Sequence, residues 1–535
     1  MTTRPARWPE AAALALLLAC LAPFAWSSTW QGDELCQLYN GVRWLSGEVY
    51  YRDFFDILGP VSPGLAALLF AVTGPSLLAA RVLLVGLVAL AGWLMARLVR
   101  ALGGGVVAAW LAAFALALGA FRHFPFWNHH WLALPAGLAA ACLAADALTS
   151  GRRRAWLFAG AATGLTGLAT QTDGLVLGVV TLVGLAVRAR LGVGGWRAAG
   201  REGLAYLGGG LTVLGLAAAG LALQGALADA WRCAWVWPLT HYRAPGGFND
   251  FLVATDLGAL IGPGSGPWPG RVGFLARVYH FLALYGGFFL APLAGALFLV
   301  GLLGARGQAS PSPQALRAGY VAGLVLGFTT LACRGRADLA HVAMYAPWGL
   351  VWLAAGADHA YRALRQAAPG PLAALPLAAL LAFVATGGLG LVQAIRQDPG
   401  TWLAPRPPDA RLRDSEVIRY IHAHTGPQDR IVSVPYGGFH YFYGRPAAAD
   451  RSYHTWPAWG FTPPEAWQAL RARIAAEPPA LLLVLPDVPS EAGLRDNLGA
   501  PFAGMREAAL VDTPSGAVRL RTWVFRPAQG PPHAR

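Results

Sequence analysis

The chain has 535 residues, of which 56% are hydrophobic and 13% charged, whereas an ordinary soluble domain is about 25% charged. A mean hydropathy of +0.46 calls for several apolar runs of about 20 residues, and that apolar content excludes a disordered chain despite 66 Gly and 39 Pro. All 41 basic residues are Arg against 27 acids, a net +14, and the five cysteines stand far apart with no CxxC pair, which argues against a disulfide framework and against a zinc or redox motif.

Apolar runs fall at roughly 11–28, 76–97, 104–121, 131–149, 155–170, 174–187, 203–223, 278–303, 318–333, 341–357 and 371–393. This spacing predicts about eleven transmembrane helices, the fifth and sixth of them short. Leu17-Leu18-Ala19-Cys20 looks slightly like a lipoprotein cleavage site, but apolar residues continue to Trp26, so the run reads as an uncleaved first helix. Arg placement sets the orientation. With the N-terminus inside, the inner loops hold Arg97, Arg100, the Arg152-Arg153-Arg154 turn, Arg188, Arg190, Arg197, Arg201, Arg306, Arg317, Arg362 and Arg365. The outer loops then hold ten of the 14 acids that precede residue 396. The expectation is a multi-pass protein of the bacterial cytoplasmic membrane, N-terminus inside and C-terminus outside.

The character changes after about residue 395. Asp414-Ser415-Glu416 opens an amphipathic helix, Arg430–Val434 reads as a strand, Thr462–Glu477 as a second helix, and Ala480–Leu485 and Val518–Phe525 as strands. Strands alternating with helices suggest a small α/β domain. The chain thus divides into a membrane part, 1–395, and an extracytoplasmic part, 396–535, with Arg406-Pro407-Pro408 as linker.

Residues able to do chemistry concentrate in the first outer loop. It reads Gln31-Gly32-Asp33-Glu34, then Gly47-Glu48-Val49-Tyr50-Tyr51-Arg52-Asp53-Phe54-Phe55-Asp56, then Gly59-Pro60-Val61-Ser62-Pro63, with Gly74-Pro75-Ser76 and Arg81 leading into the second span. Two adjacent acids a few residues past a span are disfavoured unless solvated, paired or used. Further along the outer side are His129 and His130 within an aromatic stretch, and Gln171-Thr172-Asp173-Gly174, where Asp173 reads as a helix cap. A long Gly- and Pro-rich loop opens with His241, Tyr242 and Arg243. The last outer cluster is Arg334, Arg336, Asp338 and His341. Asp338 and His341, three apart, share a face if helical. Adjacent histidines on a helix point different ways, which argues against two-residue metal chelation. Tyr436–Arg445 is Gly-rich and aromatic but lacks nucleotide-loop spacing.

The first-loop pattern resembles the GT-C glycosyltransferases, in particular the protein O-mannosyltransferase and lipid A aminoarabinose transferase branch. The resemblance rests on the acidic pair, the Gly-x-x-Tyr-Tyr-Arg-Asp-Phe stretch, the Pro-rich turn into a helix and the Gly-x-Ser…Arg lead, and it spans about residues 10–395. The Lys-Pro-Pro element of the aminoarabinose branch is replaced here by Gly59-Pro60-Val61-Ser62-Pro63.

The resemblance implies a GT-C-like fold and transfer of a sugar from a polyprenyl-phosphate-linked donor to an envelope acceptor (glycan, lipid or protein) at the outer face of the bilayer. Asp33 is then the candidate base for the acceptor hydroxyl, with Glu34 as understudy or as orienter of donor or metal. Arg52, Arg243, Arg334 and Arg336 are candidates for the donor phosphate, to which guanidinium presents a planar fork. Asp53, Asp56, His129, His130, His241, Tyr242, Asp338 and His341 are candidate supporting contacts. No cofactor is called for, a divalent cation stays open, and the metal ligands are unknown. A polysaccharide polymerase or ligase, and a transporter or flippase, are the alternatives. The C-terminal part carries 16 Arg against 13 acids, too even a balance for nucleic-acid binding.

Overall fold

The computed structural model describes residues 8–29, 32–240, 270–304, 311–335, 339–368, 370–434, 437–446, 475–484, 505–515 and 518–527, together with Gln468 and Ala472. Each expected apolar run forms a helix, because a backbone without water must satisfy its own polar groups. The long helices are α1 (Trp8–Trp26), α4 (Leu77–Ala101), α5 (Val106–Phe114), α6 (His129–Ser150), α7 (Arg153–Ala169), α8 (Gln171–Arg190) and α9 (Gly195–Leu223). They continue with α10 (Gly270–Gly304), α11 (Pro313–Gly335), α12 (Leu339–Ala367) and α13 (Leu375–Gln397). Helix α5 runs on through a π-helical turn (Ala115–Ala120) to His123. Two shorter helices, α2 (Gly32–Leu45) and α3 (Val61–Thr73), fill the first loop.

Ten of these helices among the described residues are long and apolar enough to cross a membrane. Helix α7, at 17 residues, reaches about 25 Å at 1.5 Å per residue. It nevertheless joins the two ends of the bundle, packed between α6, α8 and α9. Its contact with α9 is made by glycine. A Cβ on Gly160 would run into the carbonyl of Tyr206, and one on Gly209 into that of Leu157, so the two backbones touch as small-residue stripes allow.

The bundle has two unlike ends. At one, Arg188 is ion-paired with Glu202 and donates to Leu148 O, Arg317 donates to Thr149, and Arg362 donates to Gly103 O. Arg152, Arg153, Arg154, Arg190, Arg197 and Arg201 are exposed at the same end. The opposite end carries α2, α3 and the first turns of α4, α6 and α8.

The C-terminal part docks on that opposite end. Its mixed sheet has the order β1-β2-β4-β3, from β1 (Ile431–Val434), β2 (Leu481–Val484), β3 (Met505–Ser515) and β4 (Val518–Pro527). β1 and β2 are parallel; β2/β4 and β3/β4 are antiparallel. Strand β3 was not expected, since Arg506, Glu507, Asp512 and Pro514 break its apolar pattern; it is held as the partner of β4. Most of the expected 462–477 helix lies outside the described residues.

The expected Arg406–Pro408 linker instead opens a helix, α14 (Pro408–Arg413), with proline in its first position. Asp409 on it accepts hydrogen bonds from the Leu77 and Leu78 N–H groups at 2.8 and 3.0 Å and from Ser76 Oγ at 2.9 Å. It therefore satisfies the open start of α4. Arg411 donates to the carbonyls of Trp26, Gly400 and Thr401. Helix α15 (Glu416–His424) follows. The aromatic stretch after β1 is a short buried helix, α16 (Gly438–Tyr443), packed on α2. Tyr441 and Tyr443 on it are buried, 6% and 5% exposed.

Candidate active site

Helix α2 begins with Asp33 and Glu34 in its first turn and has Arg43 in its last, an order that suits the helix dipole. The two acids face different surroundings. Asp33 is exposed. Glu34 is fully buried and grips Arg81 of α4, with Nε to Oε1 at 2.9 Å and Nη2 to Oε2 at 2.6 Å. Trp127 N–H donates to the same Oε1 at 3.0 Å. Arg81 also donates to Ser27 O and Thr29 O, which fixes the turn between α1 and α2. The geometry gives Glu34 a positioning part and leaves Asp33 as the acid at the surface.

Below Asp33, the same face of α2 carries Gln37 and Asn40, at positions i, i+4 and i+7. Gln37 Oε1 accepts from Ser62 Oγ at 2.5 Å, and Ser62 Oγ accepts from Trp127 Nε1 at 2.9 Å. Asn40 donates to Asp56 Oδ2 at 2.8 Å, and the Leu58 N–H donates to Oδ1 at 2.9 Å. Burial pushes the Asp56 carboxyl above its usual range, against the pull of these hydrogen bonds. Burial, with Asp33 nearby, raises the Cys36 thiol well above its ordinary value.

The loop from 46 to 60 is held as a rigid hook. Arg43 binds Glu48 through Nε at 2.9 Å, donates to Asp53 O, and lies over the Phe54 ring at 4.6 Å. Tyr50 and Tyr51 both donate to Leu58 O, at 3.2 and 2.6 Å. Tyr51 has φ +68°, unique to it among described non-glycine residues. A bulky side chain held there signals local strain of order 1–3 kcal/mol. Arg52 and Asp53 pair side by side at 2.8 and 2.9 Å, and Arg52 also holds Gln224 O at 3.0 Å. The Arg52 guanidinium keeps the Asp53 carboxyl below the usual carboxylate range.

A second polar cluster lies at the starts of α6, α8 and α12. Asn128 caps α6 by accepting from the His130 N–H at 2.8 Å. His130 Nδ1 lies 3.5 Å from Asp173 Oδ2, and Tyr345 donates to Asp173 Oδ1 at 3.1 Å. The His341 and His129 rings lie 5.9 and 4.2 Å from the His130 ring, centre to centre. Asp173 therefore does not cap its helix as expected. It sits within the first turn of α8 and points at His130. Gln171, two residues before it, donates to Ile57 O at 3.0 Å, so this cluster is tied to the hook that carries Asp56.

The structure thus gathers Asp33, Glu34 and Asp56 about α2, and His129, His130 and His341 about Asp173. Arg52 and Asp53 form their own pair at the rim. His241, Tyr242, Arg243, Arg336 and Asp338 lie outside the described residues, as does the side chain of Arg334. Among the described residues, no three His, Cys, Asp or Glu side chains are placed to hold a metal ion. Arg81, part of the first-loop pattern, had no role assigned to it there, and Asn40 and Tyr345 were not among the candidates. Arg81 had a usable signal, a lone cation inside an apolar run; Tyr345 had none.

The helix bundle with its docked sheet is similar in fold to solved structures of ArnT. Over 97% of this chain and 98% of the other, it is similar to ArnT from Cupriavidus metallidurans bound to undecaprenyl phosphate, at 13% identity and a TM-score of 0.54. The apo state of that ArnT matches over the same shares at 14% identity and a TM-score of 0.54. The mycobacterial arabinofuranosyltransferase AftD shares 16% identity over 98% of this chain and 42% of its own, with a TM-score of 0.46. No protein-family model and no curated protein matches the sequence.

Proposed function

We propose that this protein is a membrane glycosyltransferase that moves a sugar from a polyprenyl-phosphate-linked donor to an envelope acceptor at the outer face of the cytoplasmic membrane. One observation carries the reading. In a bundle with this fold, α2 offers an exposed carboxylate, Asp33, while its neighbour Glu34 is spent on fixing the helix. A held carboxylate at the mouth of a lipid-facing bundle suits removal of a proton from an acceptor hydroxyl. The sugar carbon then passes through an oxocarbenium-like state, as in glycoside hydrolysis. The ArnT likeness, with undecaprenyl phosphate in the bound form, supports a polyprenyl phosphate as carrier. The Arg-rich end of the bundle supports an orientation with that end inside and α2, Asp33 and the C-terminal sheet outside.

The test compares cells carrying wild type, Asp33→Asn or no gene, at equal membrane expression, by mass spectrometry of envelope lipids, glycans and glycoproteins. The expected result is a sugar-sized mass increment that requires Asp33. Activity of Asp33→Asn within about threefold of wild type, under roughly 1 kcal/mol of barrier, would overturn the base assignment.

A further inference from the structure

We propose that His130, held by Asp173 and Tyr345, is a second proton-transfer residue of this site and protonates the departing phosphate. The inference deepens the glycosyltransferase reading and rests on it. Ionisable side chains within membrane-spanning helices are costly and are kept for use. Here three imidazoles, one carboxylate and one phenol converge from α6, α8 and α12. The His130 and Asp173 side chains are 10% and 9% exposed. His129 Nδ1 is buried with no hydrogen-bond partner among the described residues, a polar atom placed among the others without the bond a finished core would give it.

Position relates the cluster to the reaction. Trp127, three residues before His130, is bonded through its backbone to Glu34, next to Asp33. Asp173 lies two residues from Gln171, which holds the hook at Ile57. The starts of three helices meet here, and the positive ends of their dipoles favour an anion such as a phosphate. The same helix starts disfavour an unpaired imidazolium, and the Asp173 carboxylate offsets that. Asp173 meets His130 through Nδ1, so Nε2 is the nitrogen that faces away from it. Tyr345 holds the other oxygen of Asp173 and so fixes its angle.

The proton count closes. The acceptor O–H proton goes to Asp33 as the new C–O bond forms. The anomeric C–O bond breaks with its electron pair on the phosphate oxygen, which takes the Nε2 proton of His130. Solvent returns one proton to His130 and takes one from Asp33.

The experiment uses the full chain in lipid nanodiscs, with undecaprenyl phosphate binding and sugar transfer both measured. Asp173, His129, His341 and Tyr345 face His130, so variants at each serve as comparisons. His130→Gln should lower transfer by about a hundredfold or more, the usual scale of general acid catalysis, with undecaprenyl phosphate still bound. Asp173→Asn should lower transfer less than His130→Gln does, and His129→Gln and His341→Gln less again. Overturning results are transfer by His130→Gln within about threefold of wild type, or a loss in His129→Gln or His341→Gln as large as in His130→Gln. If wild type transfers sugar and loses transfer in Asp33→Asn while His130→Gln behaves as wild type, only this proposal falls. If wild type transfers nothing from any polyprenyl-phosphate sugar, the glycosyltransferase reading falls and takes the proposal with it.

Discussion

Glu34 and Arg81 form a bidentate ion pair sealed from solvent, with side chains 0% and 1% exposed. The pair joins the first turn of α2 to the second turn of α4, and Arg81 reaches on to Ser27 O and Thr29 O. Buried pairs like this contribute little net stability when intact, but losing one partner leaves a bare charge and costs about 3–5 kcal/mol. Glu34→Gln and Arg81→Met should each lower the melting temperature of the purified protein sharply, and the double variant should recover much of the loss. Arg81→Lys should rescue poorly, because one ammonium cannot serve Glu34 and two carbonyls in fork geometry. Asp33→Asn should melt like wild type. Equal melting of Glu34→Gln and Asp33→Asn would deny the division of labour between the two acids.

Gly438 seats the C-terminal part on α2. A Cβ at this position would stand 2.6 Å from Cys36 N and 2.8 Å from Cys36 Sγ, and neither the helix backbone nor a buried thiol can step aside. Tyr39 and Tyr441 pack beside the contact with ring centres 5.4 Å apart. Gly438→Ala should therefore cost about 1–3 kcal/mol, as overpacking does, and reduce transfer by shifting α2 and Asp33. Gly86→Ala on α4, where an added Cβ meets nothing within 4 Å, is the control and should be neutral or slightly stabilising. Limited proteolysis after Arg406 should speed up in Gly438→Ala alone.

His440 gives the C-terminal part an acid limit. It is fully buried with Nδ1 2.7 Å from Ser433 Oγ, and burial pushes its imidazole down to about 3. The unfolded state binds a proton below about pH 6.5, whereas the folded state stays neutral down to about pH 3. Stability from this group is thus complete above pH 6.5 and falls as pH drops, by up to about 1.4 kcal/mol per unit. Hydrogen-exchange protection factors of β1 and α16, corrected for the intrinsic rate at each pH, should fall from pH 6.5 to 4.5, and His440→Gln should flatten that trend.

The helices were legible because apolar run length and Arg placement are one-dimensional signals, strong in a medium that forbids unpaired backbone. The acidic pair was legible as a pair. Its division into a surface acid and a buried one was not, because burial of Glu34 depends on Arg81, 47 residues away. Asp173 looked like a cap because sequence shows its neighbours in the chain and not Tyr345, 172 residues on. The aromatic stretch at Tyr436–Arg445 was legible as Gly-rich, but the reason for the glycine was not, because Gly438 is there for close approach to α2, far earlier in the chain. Strand β3 escaped because its residues are chosen to pair with β4 at the sheet edge.

The two ends of α1 decide which side of the membrane meets the acceptor. The Trp26 end of α1 is bonded to the C-terminal part, through Trp26 Nε1 to Ala404 O at 2.8 Å and Arg411 to Trp26 O at 2.7 Å. The start of α1 therefore lies at the opposite end of the bundle from the C-terminal sheet, which demands an odd number of crossings. The ten long helices satisfy this only if α7 crosses as well. Its position agrees: it leaves the Arg152–Arg154 end, and a Cβ on Gly59 of the hook would strike Leu168 O near its finish. With Arg-rich loops inside, a phosphatase fused after Gly400 should be active and a fluorescent protein fused there dark. Fusions after Gly151 should behave the opposite way. A bright, phosphatase-negative fusion at Gly400 would put α2 and Asp33 in the cytoplasm. An outer-face acceptor could then not reach the candidate base.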